Sequence, residues 1–290
     1  MLYLAPMAGI NCPAFRRLCR YYGADVTYTQ MLDADKIAQD PNFYDRYLDI
    51  HPDERPVIIQ LIGSKETLKI ASEKVSLYAD GIDINMGCIE KPMLGKQAGC
   101  FLMKHPEQIK KVLSYIHTDK PISAKIRAGW DSVNSLEVAQ ILEELGIKTI
   151  AIHPRTKIQA YKNKADWGIT QQLVQKTSCT IIGSGDITEK NAQQKQKITQ
   201  HLMIGRGAIG NPIIFQRIKR NSQAPISIKE KKEQFSRFLS FYREQKRKSY
   251  SEIKQHAAWF FKNIQRSKDI RQNILDSKNQ KELEACIRKI

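Results

Sequence analysis

The sequence has no pair of cysteines in Cys-x-x-Cys spacing among Cys12, Cys19, Cys88, Cys100, Cys179 and Cys286. Neither a structural zinc site nor a thioredoxin-like redox pair is therefore read from it, and no metal is expected. Such cysteine usage fits a reduced cytoplasm. No stretch approaches the roughly eighteen uncharged apolar residues that a membrane-spanning helix needs. The apolar start MLYLAPMAG has no basic residue ahead of it, so no signal peptide is expected and the protein should be soluble and cytoplasmic. The first apolar run is followed by AGINCPAFRR and not by a GxGxxG turn, which argues against a doubly wound nucleotide-binding sheet. Acidic residues are also scarce, 30 against 47 Lys and Arg, for a net charge of +17. A field of that sign attracts polyanions, with nucleic acid the leading partner and an anionic membrane second.

What the chain does contain is a repeating alternation. Short strand-like runs recur up to about residue 210: LYLAPMAG, ADVTYTQM, PVIIQLIG, GIDINMGC, PISAKIRAG, TIAIHPRT, CTIIGSGDI and HLMIGRGAIG. Most are continuously apolar, as strands covered on both faces are, and helical patterns such as KETLKIASEKVSLYA fill most gaps. This predicts an α/β fold, a (β/α)8 TIM barrel over residues 1–222. The seventh helix, TEKNAQQKQKITQ, is the weakest because its polar residues leave a thin apolar stripe. NSQAPIS reads as a linker, and from 227 to 290 only helical patterns remain, with Phe235, Phe238, Leu239 and Tyr242, then Trp259, Phe260, Phe261 and Ile264, at helical spacing. Residues 221–290 hold 17 Lys and Arg against 8 Asp and Glu, which makes this small helical part a basic appendage.

In such a barrel the working groups stand at the C-terminal ends of the strands. Reading those ends collects Pro6, Met7 and Ala8; Gln60; Asn85 and Cys88; Lys125 and Arg127; His153 and Arg155; Ser184, Gly185 and Asp186; Gly205 and Arg206. The loops after strands seven and eight commonly bind phosphate in this architecture. GSGDI and IGRGAIG supply small residues there, so a phosphorylated cofactor or substrate is expected. Lys125 in an otherwise apolar strand reads either as a charge at the mouth or as a solvated strand end. His153 and Cys88 likewise leave structural readings open at this point.

Taken in order, APMAGI, QLIGS, DINMGC with KQAGCFLM, AKIRAGW, IHPRTKIQAY with ADW, GSGDI and IGRGAIGNP resemble the tRNA-dihydrouridine synthases, flavoenzymes that reduce selected uridines of tRNA. KQHAAWFFK in the tail is similar to a signature of that family's helical RNA-binding domain. The resemblance implies FMN as cofactor and NADPH as electron donor, with tRNA or another structured RNA as partner and no protein partner. It implies that Pro6 to Ala8, Gln60, Lys125 and His153 contact the flavin, and that Ser184, Gly185, Asp186, Gly205 and Arg206 take its phosphate. Asn85, Arg127 and Arg155 would hold the substrate base, and Lys254, His256 and Lys262 the RNA. Cys88 matches the catalytic cysteine. The chain departs from the family at Ile89, where proline is usual, with Pro92 three places on; at Lys91, one place early; and at Gln30 and Ser184, where glutamate and asparagine are common.

The chemistry suits a thiol. Hydride delivered to carbon 6 of uracil leaves charge on carbon 5 and the carbonyl oxygen, and a thiol with a pKa of about 8.5 is protonated at neutral pH yet acidic enough to quench it. An FMN barrel acting on a free pyrimidine or another small enone, and dihydrouridine formation in ribosomal RNA, are the alternatives.

Overall fold

The computed structural model describes residues 1–40, 42–45, 47–262 and 264–290. Its strands are β1 (Leu2–Leu4), β2 (Val26–Tyr28), β3 (Leu32–Asp33), β4 (Val57–Ile62), β5 (Gly81–Met86), β6 (Ile122–Gly129), β7 (Thr149–Thr156), β8 (Thr180–Ser184) and β9 (His201–Ile204). All pairings are parallel, and β2 pairs with both β1 and β4, which closes a ring of eight strands. The remaining strand, β3, is a two-residue extension beside the far end of β4, Leu32 opposite Leu61. The run expected as one strand, ADVTYTQM, thus breaks after Tyr28 and resumes past it.

Among the described residues, ten α-helices connect or follow the strands: α1 (Pro13–Tyr21), α2 (Ala34–Gln39), α3 (Thr67–Ser76), α4 (Lys91–Gly95), α5 (Phe101–Lys104), α6 (Ile109–Ser114), α7 (Ser135–Glu144), α8 (Trp167–Lys176), α9 (Ala192–Gln196) and α10 (Ile214–Lys219). The weak seventh helix of the sequence shrinks to the five residues of α9. Strand β5 is buried along its whole length, as its unbroken apolar run demands of a strand with helices outside and a filled barrel inside. The pairing register sets Gln60 against Asp83, Asn85 against Lys125 and Arg127 against His153, so these groups rise together at one end of the barrel.

The tail forms α11 (Ile228–Glu244), α12 (Tyr250–Phe260), α13 (Ser267–Asp276) and α14 (Gln280–Arg288). Helix α11 starts with a capping box, Ser227 and Glu230 satisfying each other's backbone amides. Its apolar stripe, Phe235, Phe238, Leu239 and Tyr242, joins Phe15 and Leu18 of α1 and Phe215 of α10 in one hydrophobic cluster. Tail and barrel therefore share a core. Gly210 marks the contact: its φ is +65°, and a Cβ there would stand 2.2 Å from the Trp259 carbonyl oxygen.

Candidate active site

A cavity of about 450 Å3 opens at the C-terminal mouth of the barrel. Of the residues expected from sequence, Pro6, Met7, Ala8, Gln60, Asn85, Cys88, Lys125, Arg127, His153 and Arg206 line it. Met31, Ile89, Glu90 and Tyr161 line it as well and escaped the strand-end reading, because they sit in loops. Tyr161 had one signal, as the aromatic closing IHPRTKIQAY. It is 57% exposed, with its ring under the guanidiniums of Arg127 and Arg206 at 5.3 and 5.2 Å.

The cysteine loop is held from several sides. Asn85 Oδ1 accepts the amides of Gly87 (3.0 Å) and Cys88 (2.8 Å), and the Cys88 carbonyl accepts the Cys100 amide at 2.9 Å. Gly99 stands so close that a Cβ would fall 2.8 Å from the Cys88 carbonyl oxygen, and its φ is +65°, which explains a glycine there. Ile89 packs against the main core, and Pro92 lies in the first turn of α4. Burial pushes the Cys88 thiol above its ordinary pKa despite the opposing pull of the Glu90 backbone amide and of the nearby cations of Arg127 and Lys125. The thiol is protonated at neutral pH.

Half-buried Lys125 donates no hydrogen bond to a described residue. Burial and the charge of Arg127 lower its pKa to about 8, so the ammonium is kept at neutral pH. His153 is driven down to about 2 by burial and by four cations, Lys125, Arg127, Arg155 and Arg206, and is neutral. Arg155 Nη1 approaches its Nε2 at 3.2 Å. A guanidinium can only donate, which assigns the proton to Nδ1.

At the end of β8, outside the cavity lining, Lys195 of α9 donates to the carbonyls of Gly185 (2.9 Å) and Asp186 (2.6 Å), and Trp167 Nε1 donates to Gly185 at 3.1 Å. The polar seventh helix thus has a task that its weak stripe concealed. The amides of Gly185, Asp186, Gly205 and Arg206 find no acceptor among the described residues, while Ser184 is buried at the end of β8. The Asp186 carboxylate is taken by Arg155, Arg206 (3.0 Å) and the Ala165 amide (2.9 Å), and these partners hold its pKa below the ordinary range.

Two expected RNA or substrate contacts are corrected. Arg155 is 2% exposed and its guanidinium is spent on His153, Asp186 and the carbonyls of Lys162 and Asn163, so it braces a loop and does not reach into the cavity. His256 is 1% exposed, enclosed by Phe15, Phe238 and Trp259 with Cys12 Sγ 3.6 Å away, out of reach of any phosphate. Lys254 donates to the Leu275 carbonyl at 2.9 Å from the surface and keeps its charge there. Lys262 is exposed. Among the described residues no three His, Cys, Asp or Glu side chains converge as a metal site would require, and no helix is long and apolar enough to cross a membrane.

The fold and mouth define a (β/α)8 barrel enzyme with a protonated thiol and an electropositive floor. In architecture it is similar to old yellow enzyme from Trypanosoma cruzi (TM-score 0.57, 8% identity, 86% of this chain and 95% of that one). It is similar also to morphinone reductase (TM-score 0.52, 10% identity, 78% and 87%). In sequence it is 33% identical over 293 residues to a probable tRNA-dihydrouridine synthase of Aquifex aeolicus, covering 97% of this chain and 92% of that one. It is 36% identical over 228 residues to tRNA-dihydrouridine synthase B of Escherichia coli, covering 75% and 71%. The family profile "Dihydrouridine synthase (Dus)" matches residues 3–290, and the chain belongs to that family. It is a flavin-dependent oxidoreductase.

Proposed function

We propose that the protein reduces uridines of tRNA to 5,6-dihydrouridine in the cytoplasm, with FMN as its cofactor and NADPH as the electron donor. The observation that carries this reading is the protonated Cys88 thiol sharing one cavity with the Lys125 ammonium, which donates no hydrogen bond to a described residue. The residues present fit the cofactor. Lys125 offers a positive charge where negative charge grows on reduction, His153 offers an Nδ1 proton, and Gln60 with Pro6 to Ala8 supplies the wall. The free amides of Gly185, Asp186, Gly205 and Arg206 suit a phosphate, with Arg206 as its counter-charge; Asp186 would contribute only its amide, since its carboxylate is occupied.

When bound and reduced, FMN supplies a hydride to carbon 6 of the uracil ring. Cys88 then gives its proton to carbon 5, and the thiolate so formed recovers a proton from solvent, which leaves the ring saturated. Arg127, braced on the Gly87 and Ala160 carbonyls, adds positive charge beside the developing anion. The target base must leave its stack to enter the mouth. Residues 1–222 would form the catalytic part and 227–290 the basic part, with Lys262 among the phosphate contacts.

Anaerobic reduction of the purified yellow protein by NADPH, followed by addition of tRNA, tests the reading. Reoxidation with dihydrouridine detected in the RNA by mass spectrometry is expected. A flavin left reduced by tRNA but oxidised by a free pyrimidine overturns it.

A further inference from the structure

Asp83 lies inside β5, fully buried, opposite Gln60 of β4 and Ser123 of β6. Ser123 Oγ donates to its Oδ1 at 2.6 Å and Gln60 Nε2 to its Oδ2 at 2.7 Å. Gln60 Oε1 in turn accepts Asn85 Nδ2 at 2.8 Å, and Asn85 Oδ1 accepts the amides of Gly87 and Cys88. A carboxylate only accepts, so it admits the NH2 end of Gln60 and turns the carbonyl of Gln60 toward Asn85. That choice forces the NH2 of Asn85 toward Gln60 and its carbonyl toward the cysteine loop. The loop end independently requires the same polarity, because backbone amides only donate. The chain has one direction, fixed at one end by the Asp83 carboxylate and at the other by the two backbone amides.

We propose that Asp83 is a positioning residue for Cys88: its carboxylate anchors the buried end of a side-chain hydrogen-bond chain that holds the cysteine loop against the cavity. Lys125 and Tyr28 are the titratable neighbours of that carboxylate; burial raises its pKa to about 6, against the lowering pull of the Ser123 and Gln60 hydrogen bonds and the Lys125 ammonium, so it is ionised at neutral pH. Replacing Asp83 by its isosteric amide lets either face present a donor, so Gln60 and then Asn85 can reverse and leave the Cys88 amide without its acceptor.

The inference rests on the functional reading of Cys88, and the test separates the two. D83N should keep bound flavin and its spectrum, leave KM for tRNA nearly unchanged, and lower kcat roughly tenfold to a hundredfold, as small displacements of reacting groups do. Alkylation of Cys88 by iodoacetamide, followed by peptide mapping, should change several-fold in the same variant. S123A removes a hydrogen bond from the same carboxylate without altering the chain's direction, and should hold kcat within about twofold. D83N and S123A falling in step in both melting temperature and turnover would reduce Asp83 to a fold-stabilising residue and overturn the proposal. Should D83N not fold, N85D keeps the acceptor for Cys88 but loses the donor toward Gln60; unchanged Cys88 alkylation there also overturns it. Full turnover in C88A defeats the functional reading instead, while the alkylation rates still report on the chain.

Discussion

His153 at the barrel mouth and His256 at the junction of barrel and tail carry similarly depressed pKa values, about 2 and about 3. The causes differ. His153 is half-buried beside four cations and lines open space. His256 is enclosed, stacked on Phe238 with ring centroids 4.5 Å apart, and its loss of basicity comes from burial alone. A perturbed titration therefore does not separate the working region from the packed one; unmet polar groups facing a cavity do. Among the described residues, Lys125 at the mouth donates no hydrogen bond, and four backbone amides at the ends of β8 and β9 find no acceptor. At the junction, Phe15, Phe238, Trp259 and the Cys12 sulfur enclose the imidazole.

The sharpest break of this contrast is at Cys88. C88A should lower single-turnover reduction of tRNA by roughly 10²–10⁴-fold while flavin and RNA binding persist. Unchanged turnover would make the mouth as inert as the junction. Next, H256A should destabilise the flavin-free protein by about 2–4 kcal/mol in chemical denaturation, because it empties a site in a packed core. H153A should weaken retention of the flavin and shift denaturation by less than about 1 kcal/mol. G210A should cost about 1–3 kcal/mol, from the positive φ and from the crowding against Trp259, and should leave the flavin spectrum alone.

Two smaller effects concern charge. RNA affinity should fall steeply between low and moderate salt, by filter binding, since a net charge of +17 acts through counterion release. K254A should lower that slope slightly, because its exposed ammonium keeps its charge while donating to the Leu275 carbonyl. Lys125 is charged below its pKa of about 8 and neutral above it, so the affinity of stripped protein for FMN should decline as the pH rises through that value. K125M should flatten the decline, read by quenching of flavin fluorescence.

The barrel was legible because each strand buried on both faces leaves an unbroken apolar run, and its polar residues stand out at one end. Gln60, Lys125 and His153 were found that way. Asp83 was not, since it lies within the run and is silenced there by Ser123 and Gln60. Tyr161 and Met31 come from loops, whose folding depends on distant partners. The opposite error befell His256: a basic helix with an aromatic motif does not reveal which face is packed, and its histidine turned inward against α1 and α11. Lys195 lay in the least convincing helix, where five residues are enough to carry one anchoring amine.

Arg127 spans two rims of the mouth. Its Nε holds the Gly87 carbonyl at 2.8 Å on the cysteine side, and its Nη1 holds the Ala160 carbonyl at 3.0 Å beneath Tyr161. The two loops are thereby riveted to a common planar plate. Neither can swing outward alone without tearing a bond that also steadies the other, so an incoming nucleotide that displaces the tyrosine side tugs at the segment bearing the sulfur.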